Sequence, residues 1–242
     1  MNLKKTFASI VILSIFVTGC NQNKTKEESS ISDEAIQQRM MTKVQNDVNE
    51  IIDKDYEYVL KNMGEPYCTT YYIDMENISM LEEFNEISNL RLIYPKYTAE
   101  DELEGSALYI ELNDNKVTEV QTYEFSEYDI KTEAVSNNTD IIVDMYNESS
   151  YLTLSDIEGI DFRRYEGLEE NKLYEVIGDA KTNVEAYDKI RNKHIKAYAL
   201  KNNSGEIAKI LTVLGNKEDI EKIEVINKDE IMGLVKSYLY RK

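Results

Sequence analysis

Apolar positions along the chain change period several times, and each change marks an element. From residue 36, Ile36, Met40, Val44, Val48, Ile51 and Ile52 recur every three or four residues, with Lys, Gln, Asp and Glu between them. That spacing puts one apolar stripe on a helix. Ser32 can cap it, with Asp33 and Glu34 in its first turn. Asp55 then opens a shorter helix through Tyr58, Val59 and Met63, which Gly64 ends and Pro66 cannot continue. After Pro66 the pattern turns to strands: Cys68 to Ile73, Leu90 to Tyr97, Ala107 to Leu112 and Val117 to Phe125. Ile78 to Ile87 reads as a small intervening helix, and Asn113-Asp114-Asn115-Lys116 as a hairpin turn.

The same order returns later. "YVLKNMGEPYCTTYYID" at 58–74 matches in kind "KLYEVIGDAKTNVEAYD" at 172–188, pairing Gly64 with Gly178, Met63 with Ile177 and Val59 with Leu173. "YIELNDNKVTEVQTYEF" at 109–125 matches "KILTVLGNKEDIEKIEVI" at 209–226, and His194 to Leu200 stands where Leu90 to Tyr97 stood. Asn227 and Glu230 form a capping box before a last helix with Ile231, Leu234, Val235, Tyr238 and Leu239. The expected fold class is α+β, two tandem repeats of a helix plus an antiparallel meander. The first repeat spans 32–125 with its N-terminal helix, and the second spans 155–242 with its C-terminal helix. Between them, 126–154 reads as a polar linker in which Ile141 to Met145 can form a short strand.

The first thirty residues follow another logic. Lys4 and Lys5 precede an apolar run from Phe7 to Val17, too short to span a bilayer and laid out as a secretion signal. Val17-Thr18-Gly19-Cys20 resembles a bacterial lipobox. In proteins of that kind the cysteine thiol carries a diacylglyceryl group and becomes the first residue of the processed chain. The resemblance implies a signal peptide over 1–19, lipid attachment at Cys20 and a polar lipidated tether over 20–31. It implies a cell-membrane address on the extracytoplasmic face. Several acyl chains, at about 0.8 kcal/mol per buried CH₂, hold a protein on a membrane without a spanning helix.

Composition narrows the partners. The net charge is −18, and −20 once Lys4 and Lys5 leave with the signal. Phosphate backbones repel such a chain, so nucleic acid is excluded as a partner. With Cys20 lipidated, Cys68 has no partner for a disulfide. No transition-metal cluster, calcium loop or phosphate-binding loop is present, and no cofactor is expected. His194, beside Lys193 and Lys196 in a predicted strand, reads as an exposed or half-buried strand residue in preference to a general base, and Cys68 has no evident base near it in sequence, so no catalytic residue is assigned.

A helix ending in Gly-(Asp/Glu), followed by a meander with an Asn-Lys turn, is similar to the beta-lactamase-inhibitor-protein-like fold. That fold also covers the small-protein-A lipoproteins of outer-membrane assembly, and two tandem copies resemble the inhibitor protein and a set of clostridial lipoproteins. The likeness covers about residues 45–226 and departs from the inhibitor in having no disulfide cysteines and no Trp. It implies a concave sheet face that binds a protein and performs no chemistry. The chain has 18 tyrosines, and Tyr71, Tyr72, Tyr109 and Tyr123 are the candidate binding surface. The expected function is a non-enzymatic protein-binding or scaffold module with an envelope protein as partner. The alternative is a lipoprotein that binds a solute or cell-wall fragment, for which a deep pocket with convergent polar groups is the sign.

Overall fold

A computed structural model describes residues 40, 43–44, 47–74, 87, 89–97, 103–124, 139–147, 151–178, 180–216 and 219–239. The signal, Cys20 and its tether, the Ser32 cap and the expected helix at 78–87 lie outside the described residues, apart from Ile87. The strands are β1 (Cys68–Ile73), β2 (Leu90–Tyr97), β3 (Leu103–Asn113), β4 (Lys116–Glu124), β5 (Ile141–Tyr146), β6 (Leu152–Thr153), β7 (Val184–Asp188), β8 (Lys193–Lys201), β9 (Ile207–Gly215) and β10 (Ile220–Asn227). The helices are short: α1 (Tyr56–Met63), α2 (Asn171–Ile177) and α3 (Ile231–Leu239).

Among the described residues, ten strands form one sheet, in the order β10-β9-β8-β7-β5-β1-β2-β3-β4, all antiparallel except for the short β6, which lies parallel beside β8. This overturns the expected α+β class of two tandem repeats: the protein is mainly β, a single large antiparallel sheet with a few short helices. The reason is β5. It pairs antiparallel with β1 on one side and with β7 on the other, welding the two meanders edge to edge. Its sequence, IIVDMY, is a near-continuous apolar run because five of its six residues are buried. A strand covered on both faces has no solvent side to alternate toward. The core confirms the fusion. One apolar cluster runs from Leu108 and Ile110 of β3 through Val143 of β5 to Ile195 and Ile210 beyond it.

Local signals read from the sequence are present. Asp55 Oδ1 accepts a 2.8 Å hydrogen bond from the Tyr58 amide and starts α1. Gly64, at φ 75°, ends it. Tyr94 of β2 donates its hydroxyl to the Gly64 carbonyl at 2.9 Å and fastens that helix end to the sheet. Asp114 and Asn115 both take positive φ, so β3 and β4 are joined by a two-residue turn that matches strand twist. The Glu230 carboxylate accepts from the Asn227 amide at 2.9 Å at the start of the turn leading into α3.

The helices do not share a face. Val59 and Met63 of α1 and Ile231 and Val235 of α3 pack in the cluster containing Tyr71, Leu92, Ile195 and Ala197. Leu173 and Ile177 of α2 pack with Tyr198, Leu200, Leu211 and Val213. Along β8, residues 195 and 197 therefore face one way and 198 and 200 the other, as strand alternation requires. The sheet has a first face carrying α1 and α3, and a second face carrying α2.

Candidate functional site

Strand registers place a belt of polar side chains straight across the second face. Glu111, Arg91, Thr70, Asp144, Glu185 and Lys196 are successive cross-strand partners over β3, β2, β1, β5, β7 and β8. Rows of larger groups flank it. Tyr109, Ile93, Cys68 and Tyr146 run along one side, and Tyr72, Ile142, Tyr187 and His194 along the other. Charges within the belt are answered locally. Arg91 pairs with Glu111, and its guanidinium lies 5.8 Å from the Tyr72 ring centre and 5.5 Å from that of Tyr109. His194 Nε2 stands 2.6 Å from Glu185 Oε1.

The four tyrosines proposed as a binding surface divide between locations. Tyr71 lies on the first face, 6% exposed, inside the main core. Tyr72, Tyr109 and Tyr123 lie on the second face. Tyr109 is buried at 4% exposed, Tyr72 is half-buried, and Tyr123 on edge strand β4 is 53% exposed. Tyr109 and Tyr123 meet edge to face with ring centres 5.5 Å apart. Cys68 is buried between Tyr67, Tyr109 and Ile93, and burial, helped by the Asp144 charge, pushes its thiol pKa well above the usual value. A thiol held protonated in this way is inert.

Where the belt reaches β8, the sheet meets α2 and a cavity opens. Its volume is about 450 Å3, in the range of small-molecule sites. Tyr67, Tyr146, Tyr174 and Tyr198 supply its walls, together with Lys196, Gly178 and the stretch from Ala180 to Thr182. Tyr67 precedes β1, Tyr146 ends β5, Tyr174 is on α2 and Tyr198 is on β8. The Tyr67 and Tyr146 rings are 5.9 Å apart and set at 76°. Among the described residues, the Tyr198 hydroxyl is the buried side-chain polar atom without a hydrogen-bond partner, although the side chain is only 1% exposed. Tyr174 is its neighbour and interacts with it electrostatically, but no hydrogen bond of normal geometry joins the two hydroxyls, and the Tyr174 proton goes to Glu170 at 2.8 Å.

Lys196 is the hub. Its ammonium contacts Glu170 at 2.7 Å and donates to the Tyr174 hydroxyl at 3.0 Å. Burial pulls the lysine down, but the Glu185 and Glu170 charges outweigh it and hold it above its usual 10.5. Burial pushes the Glu170 carboxyl up, and the Lys196 charge and hydrogen bond outweigh that in turn, leaving it below 4.5. The two therefore stabilise the fold in opposite pH directions. Glu170 contributes fully above its unfolded pKa and loses its contribution as pH falls through the lower folded value. Lys196 contributes fully below its unfolded pKa and loses its contribution as pH rises through the higher folded value. The urea midpoint of the full chain should hold a plateau between about pH 5 and pH 10. Glu170→Gln should remove part of the acid limb, and an unchanged acid limb would rule the pair out as a contributor.

Beside His194 and Glu170 lies a void of about 30 Å3, room for a water and not for a substrate. Among the described residues no group of three side chains is placed to hold a metal, and no helix is long and apolar enough to cross a membrane. The carboxylate beside His194 is Glu185, which local sequence does not reveal because the two meet only through the β7–β8 register.

Comparison with known protein families finds no match, and comparison with curated proteins finds none at a significant level. Among solved structures, one that this chain is similar to is a candidate beta-lactamase inhibitor protein from Streptococcus mutans. The two are 10% identical with a TM-score of 0.24, over 76% of this chain and 95% of that one.

Proposed function

We infer that this chain is an extracytoplasmic lipoprotein, tethered to the cell membrane through Cys20, that binds a small ligand and does not transform it. The observation that carries the binding half is the tyrosine-walled cavity with a buried, unpartnered phenol at its wall. Buried polar groups are normally satisfied, so one left open at a cavity of ligand size marks a place where a ligand group completes the bonding. The burial of Tyr71 and Tyr109 leaves the tyrosines of the first four strands a poor platform for a protein partner. This favours the solute-binding reading over the protein-binding one. Lipidation at Cys20 is supported by the lysine pair, the short apolar run and the small residues before the cysteine.

Among the described residues, the His194–Glu185 pair is the arrangement that invites an enzymatic reading. It is a cross-strand hydrogen bond within the sheet, and the space beside it admits water only. A general base needs its substrate within hydrogen-bond reach, which this space does not allow.

The test is to fill the cavity. Ala180 lines it, and Ala180→Trp puts an indole into the space. With the dialysable fraction of an envelope extract from the native host, the melting temperature of the full chain should rise. The same extract should leave Ala180→Trp unmoved. No rise in the parent chain, or an equal rise in both, would contradict a ligand site here.

A further inference from the structure

The cavity has a sign. Among the described residues, none of those lining it is acidic, and two of them, Lys181 and Lys196, are lysines; Asp179, between Gly178 and Ala180, lies outside the described residues. Glu170 is drawn toward Lys196 and Tyr174 and does not line the space. Two hydrogen-bond donors are available there. One is the Tyr198 hydroxyl. The other is on Lys196, which has three N–H groups, spends one on Glu170 and one on Tyr174, and among the described residues makes no further hydrogen bond. Two donors, one of them an ammonium, ask for an acceptor, and an ionised acceptor gives the stronger bond. Tyrosine cages also suit quaternary ammonium groups, but two lysines in the wall oppose a cation. The rings of Tyr67 and Tyr146, set edge to face, offer apolar surface to the rest of the ligand.

We propose that the cavity binds a small organic anion. Its carboxylate or phosphate is held by the Tyr198 hydroxyl and the Lys196 ammonium, and its ring or carbon frame lies against Tyr67 and Tyr146. This rests on the cavity being the binding site and adds the chemical class of what enters it.

The test uses the detergent-solubilised full chain with ¹³C-labelled tyrosine rings, so that NMR titration reports the cavity walls directly. The probes are N-acetylmuramic acid and 4-hydroxyphenylacetate as carboxylates, N-acetylglucosamine 6-phosphate as the phosphate, N-acetylglucosamine as the neutral ring and tyramine as the cation. At least one anion should bind and shift cavity tyrosines, with the neutral ring and the cation at least about tenfold weaker, and the arm that binds best tells carboxylate from phosphate. Tyr198→Phe should weaken that anion about tenfold, the size of one hydrogen bond to an ionised group. The melting temperature of ligand-free Tyr198→Phe should change little, since the phenol makes no hydrogen bond of normal geometry and gives up only its contact with Tyr174. Binding of the neutral ring or of tyramine as tightly as the anions, abolished by Ala180→Trp, would overturn the charge assignment and leave the cavity standing as a site. Failure of every anion to shift the tyrosines would overturn the proposal. If the extract also failed to stabilise the chain, the binding function itself would fall with it.

Discussion

Val143→Pro should cost the fold at least about 3 kcal/mol, from a lost ladder bond, a stranded carbonyl and damaged packing. Val143 is fully buried at the middle of β5, opposite Tyr71 of β1 and Ala186 of β7. Proline has no N–H and is tolerated in sheets at edges, whereas this strand has neighbours on both sides. Urea unfolding of the full chain measures the cost. Tyr123→Ala, on the exposed edge strand β4, serves as the control and should change stability by less than about 1 kcal/mol. The parent chain should unfold in one transition, because a single core crosses β5. Two resolved transitions, or a tolerated proline, would mean that the halves stand independently.

Cys20→Ala should move the protein from the membrane fraction to the soluble fraction in its native host. The change is nearly complete because the acyl chains are the whole of the proposed attachment. An acidic surface of net charge −20 after processing gains nothing from anionic lipid. Fractionation with immunoblotting reads the result. A Cys20→Ala chain that still sediments with membranes would remove the anchor from the account.

Strands β1, β2 and β4 are legible in the sequence to within a residue because turn chemistry bounds them, whereas β3 begins four residues before the expected Ala107 and β6 lies in the expected linker. Gly64 and Pro66 precede β1, and Asp114-Asn115 separates β3 from β4. Strand β5 was harder to weigh. Ile141 to Met145 was visible as a short strand inside a polar stretch, but nothing local says that such a segment sits at the centre of a sheet and not at its margin. That decision belongs to pairing, and pairing turned two expected repeats into one sheet. The opposite placement of α1 and α2 was equally hidden. Val59 and Met63 have the same four-residue spacing as Leu173 and Ile177, so periodicity identifies the buried stripe of each helix and not which side of the sheet it covers.

The site followed the same division. Alternation guarantees that Tyr71 and Tyr72 point to opposite faces, but register decides which one joins Tyr109, and a slip of one residue would exchange them. The tyrosines that wall the cavity are 67, 146, 174 and 198, contributed by four separated stretches of chain, and no short motif links them. Glu185 and His194 are nine residues apart and meet across a hairpin, and Glu170 reaches Lys196 from a helix. Tyrosine abundance pointed to binding by aromatic groups. Which tyrosines, and that a lysine holds a carboxylate away from the space they enclose, required the register.

The most direct test of the account is to isolate the full chain from the membranes of its native host, denature it and identify by mass spectrometry the small molecules it releases. The account predicts an organic anion released from the parent chain and absent from Ala180→Trp prepared in parallel. A parent chain that releases nothing, or that releases the same compounds as the filled variant, would contradict it.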